Sequence, residues 1–218
     1  MIKTSELFDM RRSMAGTYLC NFEYPWQALK GIRDLILSLG SWLESDYVQC
    51  KPQVWVHKTA LVAPSACLDA PCIIGPGTQV RHGALIRGAA LVGENCVVGN
   101  SVELKNVILF DGVQVPHFNY VGDSILGFRA HMGAGAVTSN VKSDKLPVVV
   151  KNGDECYATG CVKCGAMLGD CVEVGCNSVL NPGTVIGRNS HIYPTSCVRG
   201  VVPADSIWKT GGIIVRKA

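Results

Sequence analysis

The sequence is poor in charged and aromatic residues and contains no long, uninterrupted apolar run. Charged residues make up 17% and aromatic residues 7% of the 218 positions, whereas hydrophobic residues make up 48%. This balance excludes a globally disordered chain, because disorder requires low hydrophobicity together with high net charge. No stretch approaches 18 consecutive apolar residues, so we expect no transmembrane helix and no membrane partner.

A basic surface and an export signal are also missing. The formal net charge is only +3, and no run of Lys and Arg forms a basic stripe, so we expect no nucleic-acid partner. The opening residues, MIKTSELFDMRRSMAG, contain no apolar region of the kind found in a signal peptide. The eleven cysteines are an odd number, and we expect reduced thiols and a cytoplasmic protein.

What the chain does have is a repeat of six residues. Aliphatic residues recur at this period, a small residue follows most of them four positions later, and glycine often follows directly, as at Gly75 and Gly133. Two steps of five residues, which end at Leu109 and Leu126, interrupt the period. The aliphatic positions are Val56, Val62, Leu68, Ile74, Val80, Ile86, Val92, Val98, Leu104, Leu109, Val115, Val121, Leu126, Met132, Leu168, Val174, Leu180, Ile186, Ile192 and Val198.

This period predicts a β-helix with three faces. A helix repeats every 3.6 residues, whereas six residues fit one short strand and one turn on each face of a triangular coil. The aliphatic side chains would fill the interior, and glycine would supply corner conformations that other residues adopt only with strain. An ordinary β-sandwich with accidental spacing is the alternative, and the persistence of the register argues against it.

Two segments depart from the repeat and set the expected organisation. We predict an N-terminal helical segment over residues 1–50, a β-helix over 51–203 with an insertion at about 139–167, and a tail over 204–218. Pro25 lies near the start of an amphipathic helix whose apolar face should pack against the β-helix or a neighbouring subunit. Its apolar positions are Leu29, Ile32, Ile36, Leu39 and Leu43. In the insertion, VVVKNGDECYAT predicts a hairpin with a type I′ turn at Asn152-Gly153.

Four stretches, in one order, resemble a known family. They are IGPGTQVRHGA, VGNSVELKNV, HFNYVGDSILG and HMGAGAVTSNV, and GAMLGDCVEVGCNSVLNPGTVIG continues the match. They resemble the hexapeptide-repeat acyltransferases, and in particular the acetyltransferase domain of bifunctional N-acetylglucosamine-1-phosphate uridyltransferase/glucosamine-1-phosphate acetyltransferase. The resemblance covers about two-thirds of the chain. It implies an all-β fold, a left-handed parallel β-helix of hexapeptide repeats with an N-terminal helical segment.

The resemblance also implies an activity. It implies transfer of an acetyl group from acetyl-CoA to an amino-sugar phosphate or a nucleotide-linked amino sugar, and a homotrimer with active sites between subunits. We expect no metal. The chain departs from the family in three ways. It lacks a glycine-rich nucleotide loop, so uridyl transfer is not expected. His131 stands where the family commonly has Asn, and Val141 stands where it often has an aromatic residue.

His117 is the principal candidate for chemistry. Acyl transfer to an amine needs a base, and the imidazole of histidine, with an ordinary pKa of about 6.5, is suited to that role. His117 takes the third place of its repeat, VPHFNY, where a side chain should point outward, because Val115 and Asn119 take the inward places. The resemblance assigns His117 as the catalytic base. It assigns the backbone N–H of Ala134 to the oxyanion.

The remaining candidates bind ligands. The resemblance implies that Arg81 and Lys105 hold a sugar phosphate, that Tyr120 lines the amino-sugar pocket, and that Asn140 contacts the substrate. We also expect Lys142 or Lys145 in the insertion to contact the substrate, His131 to contact the acceptor, and Lys209 to contact the phosphates of CoA. For each of these residues the alternative is an ordinary surface side chain in contact with solvent only.

Three other interpretations remain open. A γ-class carbonic anhydrase uses the same fold, but the histidines at 57, 82, 117, 131 and 191 lack the close pair that its zinc site requires. Cys156, Cys161 and Cys164 could begin a metal site, although a fourth ligand is not evident. A non-catalytic β-helix that binds a sugar nucleotide, as a sensor or an assembly platform, is the third.

Overall fold

The computed structural model describes residues 1–217 and contains a parallel β-solenoid of about nine turns. Its strands stack on three faces, and each coil runs from face A to face B to face C. In the first coils, strand residues pair with residues 18 positions later, so that one coil holds three six-residue repeats. The predicted parallel β-helix of hexapeptide repeats is confirmed.

The short steps of the repeat have a direct structural counterpart. Around the steps that end at Leu109 and Leu126, pairing residues are 17 rather than 18 positions apart, as for Leu104 with Val121. Each of these coils is therefore one residue shorter at one corner, and its aliphatic side chains stay in the interior. Leu104, Leu109, Val121 and Leu126 are all fully buried.

The strands of each face are as follows. Face A contains Val54–His57, Cys72–Ile74, Ala90–Val92, the second halves of Glu103–Leu109 and Tyr120–Leu126, Ala166–Leu168, Thr184–Ile186 and Val201–Val202. Face B contains Leu61–Val62, Gln79–Val80, Val97–Asn100, Gln114–His117, His131–Met132, Glu173–Val174, His191–Ile192 and Ser206–Lys209. Face C contains Cys67–Asp69, Leu85–Arg87, the first halves of Glu103–Leu109 and Tyr120–Leu126, Val137–Thr138, Val179–Leu180 and Cys197–Val198.

Antiparallel strands close both ends of the solenoid. Tyr47–Lys51 pairs with the first strand of face A, and Ile213–Arg216 folds back on Ser206–Lys209, the last strand of face B. Residues 204–217, expected as a tail, therefore include two paired strands. A short 3₁₀ helix, Thr210–Gly212, connects them.

The N-terminal segment covers the outside of face A. It contains helices Thr4–Leu7, Gly16–Leu19 and Ile32–Gly40 and 3₁₀ helices Met10–Arg12 and Pro25–Gly31. The helix Ile32–Gly40 packs against the face A strands, and its Ile32 and Ile36 are fully buried. The outward residues of that face are apolar and buried as well, among them Ile73, Leu91 and Ile108. The apolar side of the segment is thus buried within one chain, and it gives no reason to expect a partner subunit.

The predicted amphipathic helix is shorter than its sequence pattern. Leu29 lies in the 3₁₀ helix that begins at Pro25, the α-helix starts only at Ile32, and Leu43 lies beyond its end at Gly40. Proline at the first position of the 3₁₀ helix costs no backbone hydrogen bond there, because the first N–H groups of a helix have no partner within it.

The glycines that follow the aliphatic residues have a different role from the one expected. Gly133 does not adopt a positive φ, and neither does Gly127. A Cβ atom at Gly133 would lie 2.7 Å from the backbone nitrogen of Cys176, and one at Gly127 would lie 2.7 Å from that of Asp170. These glycines are therefore required because successive coils approach too closely for a side chain. Corner residues with positive φ include several asparagines, such as Asn95 and Asn177.

The predicted hairpin in the insertion is present, with a different turn. Val149–Asn152 pairs with Glu155–Ala158, and Asn152 is opposite Glu155, so that Gly153 and Asp154 form the turn. Gly153 has a φ of +59° and Asp154 is not in the left-handed region. A type I′ turn needs a positive φ at both central residues, whereas glycine at the first position alone is typical of type II′.

Candidate active site

The residues that the structure brings together lie at two corners that border face C and on the strands between them. The corner between faces B and C, here called the B–C corner, carries His117 and Phe118 on one coil and Ala134 and Gly135 on the next. The corner between faces C and A, here called the C–A corner, carries Asn106, Asp123 and Asn140 on three successive coils. Tyr120 begins the stretch of face C that joins the two corners.

His117 is held by its backbone and exposes its side chain. In its strand, Gln114–His117, only Val115 is fully buried, whereas Gln114 and His117 are exposed. The backbone N–H of His117 donates to Asn119 Oδ1 at 3.1 Å, and its carbonyl accepts from the backbone N–H of Gly135 at 3.0 Å. The side chain therefore points outward, as the repeat indicates, and the imidazole is free to meet a ligand.

Asn119 connects the coil of His117 with the coil of Ala134. Its side chain is only 2% exposed, and its amide donates to the carbonyl of Gly133 at 2.8 Å and to that of Ala136 at 2.9 Å. The hydrogen bond from His117 completes this set. Ala134 thus lies on the coil adjacent to His117, at the same corner.

Asp123 gathers the polar side chains of the C–A corner. The residue as a whole is only 5% exposed, and its carboxylate lies 3.5 Å from the ammonium nitrogen of Lys105. It accepts hydrogen bonds from the side-chain amides of Asn106 and Asn140. The amide of Asn140 also donates to Tyr120 Oη at 3.2 Å. Burial raises the pKa of the Tyr120 phenol, so that the neutral hydroxyl is retained near neutral pH.

The structure brings Lys105, Tyr120 and Asn140 together but separates Arg81 from them. Arg81 follows the face B strand Gln79–Val80, and its guanidinium donates to Gln79 Oε1. Lys105 lies on face C, and the register of its strand places Arg87 opposite it on the preceding coil. Within one chain, the expected partners Arg81 and Lys105 therefore stand on different faces. Arg87 lies one six-residue repeat after Arg81, so that the next arginine along the chain reaches the face of Lys105.

Arg87 and Lys105 each have an acidic neighbour. Arg87 Nη1 lies 2.7 Å from Glu103 Oε1, in an ion pair that is largely exposed. The Lys105 ion pair with Asp123 is more buried, with 23% of the lysine side chain and 7% of the aspartate side chain exposed. Both cations face the outside of face C, where an anionic group could displace or join the acidic partner.

The other predicted residues lie apart from this cluster. His131 points outward on face B, and its Nδ1 is 2.7 Å from Glu173 Oε2 on the next coil. Lys142 pairs with Asp144 at 2.9 Å in the insertion, while Lys145 is exposed. Hydrogen bonding from the backbone of Leu146, and then from Lys142, lowers the pKa of Asp144. Lys209 ends the last strand of face B, near the C-terminal end of the solenoid.

The cysteines of the insertion are buried to different degrees. Cys156 is exposed on the hairpin, Cys161 is 7% exposed, and Cys164 is fully buried. Burial raises the pKa of the Cys161 and Cys164 thiols, so that both stay protonated at neutral pH. Across residues 1–217, no three His, Cys, Asp or Glu side chains are grouped closely enough to hold a metal ion.

Sequence reasoning missed Asp123, Asn106, Asn119 and Arg87 as site residues. Asp123 ends the motif H-x-x-Y-x-G-D, and an acidic residue between buried strand residues was a usable signal. The part played by Asn106 depends on side chains from neighbouring coils and leaves no sequence motif.

In the described chain, no helix combines the length and the apolar character needed to cross a membrane.

The sequence of the chain is similar to a protein family and to several known proteins. The GMPPB C-terminal domain family matches residues 68–165. The chain is 30% identical over 205 residues to the bifunctional protein GlmU of Methanococcus maripaludis, across 92% of this chain and 49% of that protein. It is 29% identical over 171 residues to an uncharacterised acetyltransferase, YaiX, of Escherichia coli, across 69% of this chain and 74% of that protein.

The chain spans about half the length of the GlmU protein that it matches. Among solved structures, it is similar to AntD, an N-acyltransferase from Bacillus cereus, in complex with dTDP and 3-hydroxybutyryl-CoA. The identity is 17%, the TM-score is 0.40, and the match covers 73% of this chain and 80% of that one.

Proposed function

Because the chain belongs to the hexapeptide-repeat β-helix acyltransferases related to the C-terminal domain of bifunctional sugar nucleotidyltransferase-acetyltransferases, we propose that it transfers an acetyl group from acetyl-CoA to an amine. The acceptor is an amino-sugar phosphate or a nucleotide-linked amino sugar. The observation that carries this proposal is His117, exposed at the B–C corner, with Ala134 on the adjacent coil and the Lys105–Tyr120–Asn140 cluster on the neighbouring face.

His117 acts as the general base. As the amine attacks the thioester carbonyl, the neutral imidazole accepts the amine proton and the new C–N bond forms. The C–S bond then breaks, and the imidazolium gives its proton to the departing sulfur, so that CoA leaves as the thiol and the imidazole is neutral again. General-base catalysis accelerates such steps by roughly 10²–10⁴-fold. The backbone N–H of Ala134 donates to the oxygen that becomes negative during the attack. Asn119 supports both groups, because it bonds to the backbone of His117 and to the coil that carries Ala134.

Lys105 and Arg87 hold the phosphate of the acceptor. They stand opposite each other on successive coils of face C, on the same face as Tyr120. A guanidinium offers directional, paired hydrogen bonds, whereas an ammonium acts as a point charge. Arg87 takes the role expected of Arg81, because Arg87 shares a face with Lys105 and Arg81 does not. Tyr120 and Asn140 then contact the sugar.

The active assembly is a homotrimer. His117 and Phe118 are exposed on a single chain, and Phe118 presents a large apolar ring that is 62% exposed. A neighbouring subunit at the B–C corner would exclude water from the thioester and enclose the acyl donor. Lys209, at the C-terminal end of face B, is a candidate to bind the phosphates of CoA. Lys145, which is exposed in the insertion, is a candidate to contact the acceptor.

A screen of acyl acceptors tests the activity. The purified protein is incubated with acetyl-CoA and a panel of amino-sugar 1-phosphates and nucleotide-linked amino sugars, and thiol release is followed. Release that depends on one acceptor, together with an acetylated product by mass spectrometry, supports the proposal. Acetyl-CoA binding without release for any acceptor contradicts acetyl transfer to this class of amine. A protein that binds the sugar nucleotide but not acetyl-CoA would be the non-catalytic platform.

The binding of the acceptor phosphate is tested with a matched pair of arginine variants. We expect Arg87→Ala to weaken acceptor binding by about 1.5–3 kcal/mol, the range for a hydrogen bond to a charged group. The affinity for acetyl-CoA should stay the same. Arg81→Ala is the control, because it removes the same charge from face B. Equal weakening by both variants would show that only the general positive charge matters.

A further inference from the structure

Asp123 is a buried carboxylate to which the proposed mechanism gives no role. It is 5% exposed, and carboxylates are almost never buried without partners, because the charge loses its hydration. Asp123 has three partners. Asn106 Nδ2 donates to its Oδ1 at 2.9 Å, Asn140 Nδ2 donates to its Oδ2, and Lys105 Nζ lies 3.5 Å from Oδ2.

Each amide partner uses its second hydrogen elsewhere. The amide of Asn140 donates to Tyr120 Oη at 3.2 Å, on the side of the candidate site. The amide of Asn106 donates to the carbonyl oxygen of Leu29 at 3.3 Å, in the 3₁₀ helix of the N-terminal segment. Asp123 therefore stands at the centre of a hydrogen-bonded chain that runs from the N-terminal segment to the tyrosine of the site.

The charge of Asp123 fixes groups that would otherwise be mobile. A lysine side chain has many rotamers, and ordering it costs up to about 2 kcal/mol of conformational entropy. The pairing with Asp123 keeps the Lys105 ammonium in one place before any ligand arrives. The two amides orient the carboxylate from opposite coils, and the carboxylate in turn orients the Asn140 amide toward Tyr120.

We propose that Asp123 is a positioning residue for the acceptor site, and that Asn106 connects this arrangement to the N-terminal segment. Asp123 holds the Lys105 ammonium and the Asn140 amide, and through Asn140 the Tyr120 hydroxyl, where the acceptor binds. This inference rests on the proposed function for the identity of the ligand. The N-terminal segment is then part of the site's support as well as a cover for face A.

Steady-state kinetics of two variants test the positioning role. Asp123→Asn removes the charge with little change in shape. Asn106→Gly removes the amide and keeps the left-handed backbone, because glycine adopts the φ of +54° without strain. For the acceptor that the wild type uses, we expect KM to rise about tenfold or more for Asp123→Asn and severalfold for Asn106→Gly. The KM for acetyl-CoA should stay within twofold in both variants.

Asn189→Gly is a matched control at a distant corner. Asn189 also has a left-handed φ, +57°, and its amide donates to Asp205 Oδ1 at 3.1 Å on the next coil. It thus repeats the asparagine–aspartate contact without any link to the site. Its acceptor KM should equal that of the wild type. If Asn189→Gly and Asn106→Gly raise KM equally, or if Asn106→Gly lowers only the amount of folded enzyme, the positioning role is refuted.

A second measurement separates this inference from the proposed function. The protein is treated briefly with an amine-reactive succinimidyl ester, and mass spectrometry compares the labelling of Lys105 with that of Lys58. In Asp123→Asn, the released Lys105 should be labelled severalfold faster relative to Lys58, whether or not the wild type turns over any acceptor. Unchanged labelling of Lys105 overturns the inference. Should Asp123→Asn fail to fold, the same comparison in Asn106→Gly decides, with a smaller expected increase.

Discussion

Replacement of Asn119 by alanine would remove the link between the two coils that carry the proposed base and oxyanion donor. The side chain makes three hydrogen bonds, to the carbonyls of Gly133 and Ala136 and from the N–H of His117. Asn119→Ala leaves the carbonyl of Ala136 and the N–H of His117 without this partner, whereas the carbonyl of Gly133 keeps its hydrogen bond from the N–H of Ala136 at 3.1 Å. Each unsatisfied buried group costs about 1–3 kcal/mol, so the free energy of unfolding should fall by about 2–6 kcal/mol.

The effect on catalysis should exceed the effect on folding. With the corner released, His117 is no longer held at a fixed position relative to Ala134, and a small displacement of a catalytic group lowers the rate strongly. We expect kcat per folded molecule to fall at least about tenfold, with little change in the KM for the acceptor. Thermal unfolding followed by circular dichroism gives the stability, and thiol release well below the melting temperature gives kcat.

Ser178→Ala is the control for Asn119→Ala. Ser178 is fully buried in the same inward column, donates to the carbonyl of Tyr193 at 3.1 Å, and accepts from the N–H of Ser196 at 3.3 Å. Its loss should lower stability by about 1–3 kcal/mol and leave kcat per folded molecule unchanged. If both variants lose kcat to the same extent, or if Asn119→Ala keeps the wild-type kcat, the reasoning about His117 and Ala134 is refuted.

Two further predictions concern assembly and the thiols. Light scattering at micromolar concentration should give the mass of a trimer, and a stable monomer would contradict an active site between subunits. A thiol reagent should react quickly with the seven exposed cysteines and with the four buried ones only after denaturation, because burial raises the pKa of those thiols, to about 12 for Cys72 and for Cys96. Rapid reaction of all eleven in the native protein would show that the core is open.

The repeat predicted the architecture because it records which side chains point inward. Each aliphatic position constrains the same place on every coil, so the three faces and even the 17-residue coils could be inferred from spacing alone. The same spacing placed His117 on the outside. The repeat also contains a second signal, since the outward residues of face A, such as Ile73 and Leu91, are apolar and require a cover.

The parts that could not be predicted depend on contacts between coils. The close approach that requires Gly133 is a distance between backbones, not a local conformation. The network around Asp123 joins side chains from three coils and a carbonyl of the N-terminal segment, and no linear motif encodes it. Arg81 and Arg87 occupy successive six-residue repeats, and successive repeats lie on different faces. An assignment that is wrong by one repeat therefore places the phosphate-binding guanidinium on the wrong face. The handedness of the β-helix remains a prediction from the resemblance.

The most direct test of the central claim is the rate of acetyl-CoA-dependent thiol release by the wild type and by His117→Ala, each with the acceptor found in the screen. The variant should fold and bind CoA normally, because His117 is exposed and only its backbone makes hydrogen bonds at the corner. Its turnover should be roughly 10²–10⁴-fold lower. Wild-type turnover by His117→Ala would contradict the assignment and direct attention to His131 and its partner Glu173. An unfolded variant would show that His117 belongs to the scaffold.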